Sequence, residues 1–222
     1  MEKIKICHVI DGANSNTLLF NSIKFSNREA FEHTVISLET KGDLQNQMSQ
    51  IGVRTYSLDY ESRKNAPFAL WKLFQIFKKE NFQIVQTHLF DASLIGLAAA
   101  RLAGVPVRIF SGHHSHETPL HRRKLLTFVD GGAGRFLAKL VIAPSEQMKK
   151  IFVRDLKIRP EKVAVVHHGF DLEDWRKRAS EQSNIRLELG IEGKTVFGAV
   201  GRLFWVKNFE NLVKAFSIIA SK

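Results

Sequence analysis

Short apolar runs rich in β-branched residues recur along the chain, and segments with helical spacing or polar composition separate them. Runs of this length are typical of parallel strands that are buried on both faces of a sheet. The runs that predict strands lie at residues 4–10, 34–38, 54–58, 84–87, 107–111, 140–143 and 163–166.

Helices are predicted between these strands from the spacing of apolar residues. Residues 68–80 place leucine and phenylalanine three and four positions apart, and residues 92–103 end at Gly104 with Pro106 just beyond. A further helix is predicted to begin after Ser145, because a serine hydroxyl can accept a hydrogen bond from a first-turn amide. Its inward-facing residues are predicted to be Met148, Ile151 and Phe152.

The alternation of strands and helices determines the predicted fold class. Parallel strands joined through helices need right-handed crossovers, which place helices on both sides of the sheet. The sequence therefore predicts an α/β fold with a Rossmann-like, doubly wound parallel sheet over residues 1–170.

The character of the sequence changes after residue 170. Residues 171–184 are polar and charged and predict neither a strand nor a periodic helix. A short helix at 185–189, a strand at 196–200 and a helix at 208–220 then predict the first βα unit of a second Rossmann-like domain. One strand offers little core, so residues 171–222 are interpreted as a linker and the incomplete start of that domain.

Composition and charge narrow the classes of partner. The 222 residues are 44% hydrophobic and 25% charged, as in ordinary globular proteins, and 33 Lys and Arg against 22 Asp and Glu give a net charge of +11. Such an excess favours anionic partners, including phosphates and acidic membrane surfaces. No transmembrane helix or signal peptide is predicted, and Cys7 as the only cysteine predicts a reducing, cytoplasmic location.

The stretch GRLFWVKN, residues 201–208, carries the clearest chemistry. Gly201 ends the predicted strand at 196–200, Arg202 follows it, and Lys207 lies just before a predicted helix. An anionic diphosphate would be stabilised here by two cations and by the positive end of a helix dipole, and the glycine permits close approach of the backbone. The pattern predicts a diphosphate site without a metal ion.

GRLFWVKN resembles the G-R-L-x-x-x-K-[GN] signature of retaining GT-B glycosyltransferases of family 4, with Asn208 at the Gly or Asn position. The stretch IAPSEQMKKIFVRDLKIRPEKVAVVHHGFDLEDW resembles a second segment of the same enzymes. The resemblance implies an acceptor-side domain at 1–170 and part of a donor-side domain at 171–222. It also implies transfer from a nucleotide-sugar donor to a glycan or lipid-linked acceptor with retention of configuration and no cofactor, and a 222-residue chain that is inactive alone.

Several residues at predicted strand ends are candidates for the acceptor side. The resemblance implies that His113 is the catalytic histidine facing the sugar and the acceptor, with His114 as the adjacent second choice. His88 follows another predicted strand and is similar to part of an H-x-H run in the family. The other candidates for contacts with acceptor or phosphate are Gly12 and Asn14 in the loop after the first strand, and Gly169, predicted to form a tight turn with positive φ.

Other function classes fit the sequence less well. DGANSN lacks the G-x-G-x-x-G of a dehydrogenase, and APSEQ lacks the glycines of a hydrolase nucleophile elbow. A metal hydrolase using His113, His114, His116 and His121 lacks a carboxylate-rich partner motif, and no motif predicts nucleic-acid binding. A non-catalytic GT-B-like binding module remains the alternative. Basic segments at 122–124 and 149–159 predict peripheral association with an anionic inner membrane face.

Overall fold

The computed structural model describes residues 2–112, 131–181, 184–201, 203 and 205–220. Two compact units divide the chain, Met1–Phe170 and Asp171–Lys222, and each is described by itself.

The described residues of the first unit form a seven-stranded parallel sheet in the order β3-β2-β1-β4-β5-β6-β7. The strands are β1 (Ile4–Ile10), β2 (Phe31–Ser37), β3 (Arg54–Ser57), β4 (Ile84–His88), β5 (Val107–Ser111), β6 (Leu140–Ala143) and β7 (Val163–Val165). From β1 to β3 successive strands are added on one side of β1, and from β4 to β7 they are added on its other side. The boundary between β1 and β4 is therefore the topological switch point, where doubly wound sheets bind ligands. The predicted α/β, Rossmann-like fold class is confirmed.

Helices cover both faces of this sheet. They are α1 (Thr17–Lys24), α2 (Asp43–Ser49), α3 (Ala66–Glu80), α4 (Phe90–Ala103) and α5 (Glu146–Arg154). The helices predicted at 68–80 and 92–103 are confirmed as α3 and α4, and Ser145 caps α5 by accepting a hydrogen bond of 3.2 Å from the Met148 amide. Asn16 caps α1 in the same way, through a 2.9 Å bond from the Leu19 amide.

Strand alternation sorts the core into two layers. Cys7 and Val9 of β1 point to one face and pack with Leu73 and Phe77 of α3. Ile10 points to the opposite face and packs with residues of α1 and α2, among them Leu19, Ile23, Leu44 and Met48. Successive strand residues point to opposite faces, so His8 belongs to the same face as Ile10.

The glycine-rich run at 131–134 has a packing role. It leads into a π-helical turn, Ala133–Leu137, that packs against the β5–β7 part of the core. A Cβ on Gly134 would lie 2.6 Å from Cδ1 of Ile158, and one on Gly131 would lie 2.9 Å from the Leu156 carbonyl oxygen. These close approaches explain why glycine occupies positions 131 and 134 of this helical segment.

The second unit differs from its prediction in two places. The described residues 194–200 form no strand, and Val196, Phe197 and Val200 are exposed, so the predicted strand at 196–200 is wrong. A strand needs a neighbour to pair its backbone groups. The polar stretch predicted to lack structure contains α6 (Leu172–Glu181), which is followed by α7 (Ile185–Glu188), a 3-10 turn (Trp205–Lys207) and α8 (Phe209–Ala220).

Local polar interactions account for α6. The Asp171 carboxylate accepts a 3.1 Å hydrogen bond from the Asp174 amide, and Asp174 pairs with Arg178 at 2.8 Å one turn later. Caps and pairs of this kind stabilise a helix without burial of its apolar residues. No helix in the described part of the chain is both long enough and apolar enough to cross a membrane.

Candidate functional site

A pocket of about 360 Å³ lies within the first unit, beyond the carboxyl ends of β4 to β7 and against the first turns of α1. This volume is within the range of small-molecule sites. Its polar wall includes Asn16, Ser22, Gln86, His88, Ser111, His167 and His168. The pocket lies at the sheet edge where open α/β folds bind ligands.

His88, predicted as a site residue, lies in the wall of this pocket at the end of β4. Its side chain is buried, and its Nε2 lies 3.4 Å from Nδ1 of His8 in the neighbouring strand. Beside it, the Gln86 amide donates a 2.7 Å hydrogen bond to the Ser111 hydroxyl. The pocket floor is therefore a hydrogen-bonded layer of side chains on one face of the sheet.

Hydrogen bonds to Asp11 stabilise the turn after His88. The Asp11 carboxylate accepts hydrogen bonds from the amides of Phe90, Asp91 and Ala92 at the start of α4. Burial raises the pKa of Asp11 to about 6, against the opposing effect of these amide donors. Leu89, between His88 and the helix, has φ 70° and ψ −171°, a conformation that glycine favours and that costs other residues about 1–3 kcal/mol.

Gly12 and Asn14 lie outside the pocket wall. A Cβ on Gly12 would be 3.5 Å from the Glu39 carboxylate, which is an ordinary contact, and the Ala13 amide donates to that carboxylate at 3.3 Å. An acidic side chain thus lies beside the loop in which Gly12 and Asn14 are predicted to contact the acceptor or phosphate. Asn16, two residues after Asn14, lines the pocket instead.

His113 and His114 lie outside the described residues, as do His116 and His121. The two residues before them, Ser111 and Gly112, both line the pocket. A Cβ on Gly112 would lie 2.2 Å from Cζ of Phe152, so only glycine fits between β5 and α5. The last described residues before His113 therefore lie in the wall of the pocket.

Gly169 and its neighbours form the opposite rim. Gly169 lines the pocket, but it is not among the glycines with left-handed φ, so the predicted positive-φ turn is wrong. The segment is held instead by a 3.2 Å hydrogen bond from Nδ1 of His167 to the Pro144 carbonyl.

In the second unit, Gly201 and Lys207 come together at the start of α8. A Cβ on Gly201 would be 3.8 Å from Cγ of Lys207 and 3.4 Å from Cζ of Phe209. Asn208 has a left-handed φ of 55°, and its carbonyl accepts from the amides of Asn211 and Leu212. Glycine and asparagine are the residues that adopt this φ most readily, which explains why the signature ends in either. Arg202 lies outside the described residues.

Within the described ranges, no group of three or more His, Cys, Asp or Glu side chains is arranged to hold a metal ion. The nitrogen-to-nitrogen distances in the group of His8, His33 and His88 are those of hydrogen bonds between rings.

These features define an α/β protein with a ligand pocket at the carboxyl edge of its sheet. Residues 17–174 match the profile of Glycosyltransferase Family 4, and the chain belongs to this family. The sheet has the Rossmann-like architecture of GT-B glycosyltransferases.

Two curated relatives indicate the breadth of the family. The UDP-Gal:alpha-D-GlcNAc-diphosphoundecaprenol alpha-1,3-galactosyltransferase of Escherichia coli is 31% identical over 144 residues, which cover 63% of this chain and 37% of that enzyme. The capsular polysaccharide biosynthesis glycosyltransferase CapM of Staphylococcus aureus is 24% identical over an alignment covering 100% of this chain and 59% of that protein. The chain thus spans between about a third and three fifths of these relatives.

Solved structures share the fold. The crystal structure of Anabaena Alr3699/HepE in complex with UDP and glucose matches with a TM-score of 0.67 at 20% identity, over 84% of this chain and 50% of that one. The apo lipopolysaccharide outer core galactosyltransferase WaaB matches with a TM-score of 0.57 at 15% identity, over 76% of this chain and 46% of that one.

Proposed function

We propose that this chain takes part in transfer of a sugar from a nucleotide-sugar donor to a glycan or lipid-linked acceptor, with retention of configuration. The observation that carries the proposal is the family match over 17–174, which spans the pocket wall from α1 to His168 and Gly169. The relatives named for galactosyl transfer and capsular polysaccharide synthesis support this class of acceptor.

The first unit supplies the acceptor side. His88 lies in the pocket wall and Gly112 leads from it to His113, which we assign the catalytic role of facing the sugar and the acceptor, with His114 beside it. Alcohol and diphosphate groups of an acceptor are hydrogen-bonding groups, and the polar wall of Asn16, Ser22 and Ser111 offers partners of matching chemistry.

The second unit supplies contacts to the donor diphosphate. Gly201 and Lys207 lie beside the start of α8, where a helix dipole favours negative charge, and Arg202 follows Gly201 in sequence. Cations fixed at this point stabilise the charge that develops on a departing nucleoside diphosphate, so transfer needs no divalent metal. The UDP in the similar Anabaena structure supports a nucleoside diphosphate as leaving group.

A peripheral position on the inner, cytoplasmic face of a membrane would bring the pocket to a lipid-linked acceptor. Besides the basic segment 149–159, α3 presents Phe68 and Trp71, each 54% exposed with ring centroids 6.0 Å apart, and Lys78 on the same side. Exposed aromatic rings next to lysine are typical of interfacial helices.

Acceptor binding tests the first unit directly. We expect the chain to bind a short-chain N-acetylglucosaminyl diphospho-lipid analogue, and Ser22→Trp to weaken binding at least about tenfold, because the indole fills the pocket. Ser49→Trp is the matched control, since both serines are exposed on helices and donate to carbonyls of their own helix. Equal affinities of the two variants, or no binding by the parent chain, would refute the assignment.

Donor chemistry is tested in an active polypeptide that contains these residues. Losing one charge-assisted contact costs about 1.5 to 3 kcal/mol, so Arg202→Ala and Lys207→Ala should each lower transfer efficiency roughly ten- to a hundred-fold. The product's anomeric configuration should equal the donor's. Full activity in both variants, or activity lost with a chelator and restored by a divalent ion, contradicts the proposal. Acceptor binding without any transfer would favour a non-catalytic binding module.

Membrane association can be measured separately, by co-sedimentation of the chain with lipid vesicles. We expect salt-sensitive binding to anionic vesicles that Trp71→Ser weakens, because the indole and neighbouring lysines act together. Equal binding to neutral vesicles argues against it.

A further inference from the structure

A serine and a glutamine form a pair in the floor of the pocket. Ser111 ends β5, Gln86 lies in β4, and the Gln86 amide donates a 2.7 Å hydrogen bond to the Ser111 hydroxyl. In the strand register Ser111 lies between His88 of β4 and Ile142 of β6, and all four residues line the pocket. Only 4% of Ser111 is exposed, so its hydroxyl can meet few groups besides Gln86 and a bound ligand.

A second serine and glutamine pair, at the end of β2 and outside the pocket wall, provides a comparison. Nε2 of Gln45 donates to the Ser37 hydroxyl at 2.8 Å. That hydroxyl donates its own proton to the Glu39 carbonyl at 3.0 Å, and Oε1 of Gln45 accepts from the Gly42 amide at 2.8 Å. Both ends of this pair therefore have partners within the protein, as expected of buried polar groups with a structural role.

The Ser111–Gln86 pair has fewer partners. Nε2 of Gln86 donates to the Ser111 oxygen, and the described residues supply neither an acceptor for the Ser111 proton nor a donor for Oε1 of Gln86. This Oε1 is accessible at the pocket wall, because no side-chain nitrogen or oxygen in the described ranges is both buried and without a partner. Turning the Gln86 amide by 180° would exchange the roles of its two ends. One donor and one acceptor would still be unused.

These two unused groups select among the chemical groups of a ligand. Ionised phosphate and carboxylate oxygens accept hydrogen bonds but cannot donate them, whereas an ammonium group donates but cannot accept. Either kind would leave one end of the pair desolvated without a partner, which disfavours binding. Among the described residues of the pocket wall there is also no Lys or Arg to balance an anion, and no Asp or Glu to balance a cation.

A hydroxyl group matches the pair, because one oxygen both donates and accepts. An acetamido group has a donor and an acceptor as well, but its N–H and C=O point to opposite sides of a planar trans amide. The unused groups of Ser111 and Gln86 instead lie side by side on neighbouring strands. The geometry therefore favours a hydroxyl group over an amide.

We propose that Ser111 and Gln86 are specificity-determining residues that bind one sugar hydroxyl group of the acceptor. This hydroxyl accepts a hydrogen bond from Ser111 and donates one to Oε1 of Gln86. The identification of the ligand as a sugar rests on the proposed function, whereas the unused donor and acceptor are features of the chain itself. The sugar of the acceptor lies against β4 and β5, and its diphosphate lies away from this pair.

The test combines a change in the protein with a change in the ligand. Binding of the N-acetylglucosaminyl diphospho-lipid analogue to the whole chain is compared with binding of its 3-deoxy, 4-deoxy and 6-deoxy forms, which each lack one sugar hydroxyl. Ser111→Ala should weaken binding of the unmodified analogue roughly three- to thirtyfold, because one hydrogen bond is lost. One deoxy form should bind the parent chain with a similar loss. Ser111→Ala should cause no further loss with that form, since the two changes remove the same bond.

Ser37→Ala is the matched control, because Ser37 also ends a strand and accepts from a glutamine amide, but does not line the pocket. It should leave the affinities for all four analogues unchanged. Gln86→Leu removes the other end of the pair and should weaken binding of the same analogues as Ser111→Ala. Circular dichroism of each variant shows whether it is folded.

Three results would overturn the proposal while the proposed function stands. They are unchanged affinity of Ser111→Ala for the unmodified analogue, an equal loss with all four analogues, and a loss in Ser37→Ala as large as in Ser111→Ala. Failure of the parent chain to bind any of the four analogues is a different outcome. It would overturn the proposed function and this inference with it.

Discussion

The two faces of the sheet differ in what they contain, although the same strands build both. The face under α3 and α4 has a broad apolar cluster with Cys7, Val9 and Phe77, and its polar residues, such as Thr87, are short and bonded to backbone. The face under α1 contains three buried histidines, His33, His8 and His88, whose rings are within hydrogen-bond distance of one another in that order, and His88 lies in the wall of the pocket. The comparison indicates that one face stabilises the domain and the other is adapted to the site.

The largest effect should come from the apolar face. Phe77→Ala removes a ring that is only 2% exposed and should lower the free energy of unfolding by about 3–5 kcal/mol, measured by urea denaturation. Phe68→Ala on the same helix, where the ring is 54% exposed, should cost about 0.5 kcal/mol or less. Similar losses in the two variants would mean that α3 does not bury the face described.

On the polar face, His8→Leu should destabilise by about 1–3 kcal/mol, because it removes the hydrogen-bond partner of Nδ1 of His33 and of Nε2 of His88. The double variant His8→Leu with His33→Leu should cost less than the sum of the two single changes, since the bond between the rings is lost only once. Additive losses would show that the hydrogen bond between the His8 and His33 rings contributes nothing to stability.

Acidification should weaken the same face, on the order of 1 kcal/mol. His33 has a pKa of about 4 when folded, below its ordinary 6.5, so the unfolded chain takes up its proton first as the pH falls. The stability from this group is complete above about pH 6.5 and is lost down to about pH 4. Denaturation across that range should show a smaller loss in His33→Gln than in the parent chain. Identical pH profiles would contradict the burial of this ring.

The smallest loss of stability is expected on removal of the Thr87 hydroxyl, which lies on the apolar face under α3 and α4. Thr87→Val keeps the methyl that packs against Gly96 and loses one 3.3 Å hydrogen bond to the Ile109 carbonyl, so we expect about 1 kcal/mol or less by thermal denaturation. A loss as large as that of His8→Leu would remove the distinction between the faces.

The pattern of apolar residues predicted the sheet, because each apolar run in residues 1–170 has another such run beside it in the fold to pair with as a strand. The same criterion failed at 196–200, since an apolar run does not reveal whether a pairing strand exists. It failed in the opposite sense at α6. There the Asp171 cap and the pair of Asp174 with Arg178 stabilise a polar helix whose large apolar residues, Leu172 and Trp175, are exposed.

The candidate site was predictable where it follows strand ends, as His88 does. His8 and His33 were missed because each lies inside a strand, where a lone histidine gives no signal. Their contact depends on the register that pairs Ile6 with His33, which strand alternation alone does not specify. The roles of His113, His114 and Arg202 remain predictions, as these residues lie outside the described ranges.

At Leu89 the residue that gives the highest thermal stability differs from the residue that completes the pocket wall. Glycine would relieve the conformation at φ 70° and ψ −171°, so a library of variants selected only for heat resistance should enrich glycine at this position. The leucine side chain, 39% exposed, is part of the pocket wall and would be lost in those variants. Engineering for shelf life and selection for turnover should therefore favour different residues at position 89.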